Sequence, residues 1–283
     1  DHAGEQAREM YQMTTLQQDL LFRLSVPLAK VLYSSIVYII TRPNNMKRYL
    51  VELVGDSADL EEFPRMFPDG DVHAIAEGAN VFLTGTTFDS IEAPSKVLGA
   101  AEQVLDEMVA VILLLWPGLH RPTLGAVCVE DESGLRNRHM FASVHEVVRI
   151  KDHVDAIVNG TAQIRQGPTE GQKLLAASRQ ATNAQAAMMI WADPHRTWPR
   201  LYRILEELEA ELKVSVSESG LCSEEQRERF THSANSADVA GKDSRHRSGK
   251  FKPPKNPMSL EEASSFIGGL IQQTLHRVAQ SAA

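Results

Sequence analysis

The chain has 283 residues, of which 43% are hydrophobic and 23% charged, an ordinary globular usage that excludes fibrous and wholly disordered classes. At roughly 100–200 residues per domain, that length points to two domains. The net charge of -8 excludes a surface built throughout to hold nucleic acid, so any polyanion site must be local.

The two cysteines, Cys128 and Cys222, lie far apart and match no ligand spacing. Neither a disulfide framework nor a zinc knuckle is expected, and a reducing, cytoplasmic compartment fits best, with no metal and no cofactor. Residues 1–45 read as an N-terminal helical extension that either belongs to the product or precedes a true start at Met46. Within it, 20–41 is apolar enough to resemble a membrane span, but Arg23, Pro27 and Lys30 interrupt it. A cation at the centre of a span costs about 2.5–3.5 kcal/mol, so no membrane association is expected.

From Met46 the period is 2, with Tyr49, Val51 and Leu53 alternating against Leu50, Glu52 and Val54, which predicts a strand. A short helix follows over 57–67, with Ser57 as N-cap and Pro68-Asp69-Gly70 as its stop. Apolar runs over 72–76 and 81–86, separated by Glu77-Gly78-Ala79-Asn80, predict a hairpin. The spacing of Val97, Leu98, Ala101, Leu105, Met108, Val109, Ile112 and Trp116 predicts a long helix over 95–116, ended by Pro117-Gly118. Strands over 123–130 and 139–149 flank the turn Asp131-Glu132-Ser133-Gly134. The order βαββαββ makes residues 46–155 an α+β domain of ferredoxin-like type with one strand added. That order hosts many unrelated functions and supplies no activity by itself.

After about residue 155 strand signals vanish, and residues 160–283 read as an all-α bundle able to fold alone, joined by a Gly-containing segment. Helices are predicted over 172–191 and 198–213, broken by Asp193-Pro194. Ser223 to Gln226 and Ser259 to Glu262 match the capping box and start two more. Between these lies 233–257, polar and punctuated by Gly and Pro, a length of connector that is commonly functional or disordered.

Within that stretch Lys242, Arg245, Arg247, Lys250, Lys252 and Lys255 face only Asp243, a local basic excess in an acidic chain. It suits phosphate contacts, with Phe251 offering a face for base stacking, or docking on acidic residues such as Glu206, Glu207, Glu209 and Glu211. Arg245-His246 pairs a cation with a titratable imidazole, the combination that metal-free RNA cleavage uses for charge stabilisation and proton transfer.

The helix order over 170–280, the basic segment between helices and the closing helix over 259–278 resemble a HEPN domain, a family of small helical bundles that often act as RNases or toxins in bacterial defence. The family's hallmark is an Arg followed by four to six residues and a His near a helix end, and Arg227-Glu228-Arg229-Phe230-Thr231-His232 has that spacing. What the resemblance implies is a metal-independent RNase using Arg227 and His232; Arg245 and His246, which lack that spacing, are the other candidate pair.

Other groups favour ordinary structural roles. His139 and His145 share strand parity but stand about 20 Å apart, and with His153 they cannot chelate one metal without other partners. Trp191, Trp198 and Tyr202 fall at helical spacing and read as core, and His195 and Arg196 follow Asp193-Pro194 in a turn with nothing beyond position to single them out. The chain lacks a P-loop, a Rossmann glycine fingerprint, HExxH, GxSxG and CxxC. A binding or regulatory protein whose basic stretch contacts RNA, a nucleotide or an acidic protein partner is therefore the leading expectation, and the RNase is the alternative.

Overall fold

The computed structural model describes residues 47–140, 167–244 and 253–281, all within one compact unit formed by Lys47–Val154 and Gly167–Ala283. The predicted extension over 1–45 and most of the predicted strand over 139–149 lie outside the described residues. Among the described residues no helix is long and apolar enough to cross a membrane.

The fold is α+β. Its five-stranded antiparallel sheet runs in the order β2 (His73–Glu77), β3 (Asn80–Thr84), β1 (Arg48–Val54), β4 (Thr123–Glu130), β5 (Arg136–His139). The alternation read in β1 holds: Tyr49, Val51 and Leu53 enter the main core, while Leu50 faces away with Phe82 and Cys128. A bulge interrupts the β1–β4 register between Val51 and Leu53. Glu52 fills the gap by accepting from the Ala126 amide at 3.3 Å, and a Cβ on Gly125 would lie 2.9 Å from that carboxylate, so the close approach requires glycine.

On the sheet face turned away from the helices, Arg136 of β5 donates to Glu77 of β2 at 2.9 Å although three strands lie between them. The right-handed twist must therefore coil the sheet until its diagonal corners converge. The Arg136 guanidinium sits 5.9 Å from the centre of the Phe82 ring and covers that smaller apolar cluster.

Helix α1 (Ser57–Met66), the short α2 (Thr86–Asp89) and the long α3 (Pro94–Leu115) lie on the other face. The N-cap of α1 is Asp56 rather than Ser57, because the Asp56 carboxylate reaches the Ala58 amide at 3.0 Å. Helix α3 is buried along most of its circumference, as an apolar helix must be when both sides are covered. The sheet packs on one side, and α4 (Glu170–Gln180) and α5 (Thr182–Trp191) on the other.

The helix expected over 172–191 is thus two helices, broken at Ala181, which adopts extended backbone angles. The Asn183 amide freed at the break donates to Glu211 at 3.1 Å, and buried Glu107 of α3 accepts from Arg179 before the break and Gln185 after it. Helix α4 starts at a capping box formed by Thr169 and Gln172.

Helices α6 (Trp198–Leu212), α7 (Glu224–Asn235), α8 (Ala237–Ala240) and α9 (Leu260–Ser281) complete the described elements, together with a 3-10 turn at Gly241–Asp243. The capping box expected at Ser223 forms in full, and the Ser259 hydroxyl accepts from the Glu262 amide at 3.1 Å. Fully buried Phe230 packs within 6.1 Å of Trp198, 6.2 Å of Tyr202 and 5.8 Å of Phe266, tying α6, α7 and α9 together. One hydrophobic cluster runs from the sheet through α3 into these helices.

Candidate functional site

A cleft of about 880 Å³ opens between the C-terminal end of α3, the end of α5 and the first turns of α9. Its apolar wall is Leu113, Leu114 and Leu260, and its polar groups include Arg196 and Glu261. The turn after α5 is what places Arg196 there. The Asp193 carboxylate forms an ion pair with Arg200 at 2.5 Å and accepts from the His195 amide at 2.8 Å, while Arg200 also donates to the His195 carbonyl. Arg196 therefore meets only the Asp193 backbone carbonyl, to which its guanidinium donates. Among the described residues no carboxylate lies within ion-pair distance of it.

The Arg196 guanidinium stacks on the Trp191 ring at 3.8 Å, a cation–π arrangement that leaves its planar edge for other acceptors. Burial pushes this group down to about 10. The Asp193 carboxylate, paired with Arg200, acts on it only through space and offsets that burial in part, and desolvating a charge is costly unless a partner compensates it. The wall holds a second anomaly: the Trp191 indole N–H is buried and has no acceptor, a deficit of about 1–3 kcal/mol.

Trp191 fits because α9 carries two adjacent glycines. A Cβ on Gly268 would lie 3.2 Å from the ring, whereas one on Gly269 would meet nothing within 4 Å. Two interior glycines cost about 2 kcal/mol of helix propensity, so they need a packing reason. The first makes room for the indole, and the second leaves the cleft open.

The residues singled out in the sequence lie elsewhere. Arg227 holds Glu209 through two bonds at 2.7 and 3.2 Å, which raises its guanidinium further, and it also approaches Glu224 at 3.8 Å. His232 is exposed on the same helix, and five residues on a helix place it about 140° around the axis from Arg227. Lys242 and Lys255 are exposed at the two ends of the basic stretch, with no ion pair among the described residues. Arg245, His246, Arg247, Lys250, Phe251 and Lys252 lie outside the described residues. The stretch is anchored at its far end, where Arg229 donates to the Asn256 carbonyl at 2.6 Å and the Met258 amide donates to Ser233 at 2.9 Å.

Trp198 is core, as read from its spacing, whereas Trp191 is both core and cleft wall. Both thiols are free, and burial pushes Cys128 and Cys222 up, away from the thiolate form a nucleophile needs. Among the described residues no group of His, Cys, Asp and Glu is arranged to hold a metal ion. No protein-family model, curated protein or solved structure matches the chain.

Proposed function

We propose that this is a binding or regulatory protein that holds a small carboxylate-bearing ligand in the cleft beside Arg196. The observation that carries this reading is the half-buried Arg196 guanidinium, stacked on Trp191 at 3.8 Å and lacking a carboxylate partner. A planar fork stacked on Trp191 in the lining of this cleft suits bidentate recognition of a carboxylate, with the apolar wall taking the rest of the molecule. The site offers no nucleophile and base in contact, which favours binding over turnover.

The test is a calorimetric titration with hexanoate, a carboxylate with a plain apolar tail. Arg196→Ala should weaken binding about 10- to 100-fold, the worth of one charge-assisted contact. Arg196 carries its charge below its own pKa and loses it above, so affinity should hold at neutral pH and decline as pH rises through about 10. Absence of any hexanoate binding at millimolar concentration removes this reading.

A second reading keeps RNA as a partner of the basic stretch, and Lys242 and Lys255, exposed and in no ion pair among the described residues, favour it. Replacing Lys250, Lys252 and Lys255 with Ala should then reduce the slope of log affinity against log salt by about 2, at roughly 0.7 per single-strand phosphate contact. The HEPN-type RNase belongs to this reading, and it requires Arg227 to leave Glu209 before meeting a phosphate. We expect weak, salt-sensitive RNA binding in a filter assay and no cleavage in the same samples. Cleavage that His232→Ala or His246→Ala abolishes would establish the nuclease instead.

The strand order β2-β3-β1-β4, with helices following β1 and β3, supports the ferredoxin-like arrangement extended by β5, and the order of α4 to α9 with its long closing helix supports the HEPN-like one.

A further inference from the structure

Two charges of opposite sign, neither in an ion pair among the described residues, line the same cleft without pairing with each other. Arg196 approaches it from the turn after α5, and Glu261 from the first turn of α9. No ion pair joins them, and Glu261 has no cationic partner among the described residues, whereas its neighbour Glu262 is held by Arg229 at 2.6 Å. With Leu113, Leu114 and Leu260 supplying the apolar wall, the cleft presents a cation, an apolar patch and an anion.

That combination discriminates between ligands. A phosphate dianion or a nucleic acid strand would satisfy Arg196 while bringing extra negative charge toward Glu261, and like charges repel. A simple carboxylate satisfies Arg196 and leaves Glu261 idle. Only a molecule carrying both an anionic and a cationic group compensates both. A volume of about 880 Å³ admits a ligand ranging from a single amino acid to a short peptide.

Building on the carboxylate reading of the cleft, we propose that its ligand is a zwitterion with an apolar body, of the free amino acid or short peptide class, its carboxylate on Arg196 and its ammonium on Glu261. The two sources share this chemistry and differ in the span between their charges.

The full chain is titrated with L-leucine and with the dipeptide Leu-Leu, each by calorimetry and by the quenching of Trp191 fluorescence. N-acetyl-leucine, which lacks the ammonium, and leucinamide, which lacks the carboxylate, serve as controls. Leucine or the dipeptide should bind at least tenfold tighter than either control, and the tighter of the two identifies the source. Glu261→Gln, at an exposed position where folding is not at stake, should remove that advantage over N-acetyl-leucine. Equal binding of leucine and N-acetyl-leucine, or a Glu261→Gln protein that keeps the preference, overturns the zwitterion assignment, and hexanoate binding then still supports a carboxylate site. If hexanoate fails to bind as well, both readings fall.

Discussion

Replacing Phe230 with Ala should lower stability by about 3–5 kcal/mol, the cost of truncating a fully buried aromatic side chain. Phe230 is 0% exposed and packs against Trp198, Tyr202 and Phe266, which come from α6 and α9. The hole left behind is bounded by three rings on two other helices, and these cannot close it without shifting helix axes. At about 3 °C per kcal/mol for a chain of this size, Tm should fall by roughly 10 °C. The Phe230→Leu protein should lose less, since much of the volume is retained. Thermal unfolding followed by tryptophan fluorescence and by far-UV dichroism reads the effect, and the two signals should shift together because one hydrophobic cluster links sheet and helices. A loss under about 1 kcal/mol would mean that Phe230 is not the centre of this cluster.

Where local chemistry decides an element, the sequence discloses it. The alternation of Tyr49, Val51 and Leu53 and the long apolar α3 needed only their periods, and Ser223 announces α7 through its capping box. The break at Ala181 carries no glycine or proline to mark it. It is stabilised by Glu211 and Glu107, carboxylates on distant elements, so only the assembled fold reveals it. For the same reason α1 is capped by Asp56 although the next residue, Ser57, is an equally good capping type.

The candidate site follows the same division. A run of six cations over 242–255 stands out in any reading of the chain, because charge is visible one residue at a time. The cleft joins residues from Leu113 to Gln272, and Arg196 on its own resembles any turn arginine. One signal was present, the Gly268-Gly269 pair inside a long amphipathic helix. Its meaning emerges only when Trp191 is seen against the first glycine and open space beside the second.

The isolated helical segment 167–283 should fail to unfold cooperatively, the opposite of what the change of period near residue 155 suggests. Helices α4 and α5 pack on α3 and share its core, with Leu174, Ala177, Ala184 and Ala187 among their buried residues. Polar contacts cross the same boundary. Arg179 donates to Glu107 at 2.8 and 2.6 Å, the Thr169 hydroxyl donates to the Met66 carbonyl, and Gln172 donates to the Asp69 carbonyl at 2.9 Å. Gly171 lies so close to α1 that a Cβ there would sit 3.1 Å from Met66. Cutting these away exposes apolar surface worth about 25 cal/mol per Å², and a few hundred Å² amounts to most of a typical stability of 5–15 kcal/mol. The fragment should therefore show helical dichroism with a broad melt and bind a hydrophobic dye, whereas the full chain melts sharply. Adding residues 47–140 as a separate chain should restore part of the sharp transition by covering α4 and α5. A fragment that melts sharply and leaves the dye unbound would show that α3 only rests on the bundle, and that the continuous core is two adjoining ones.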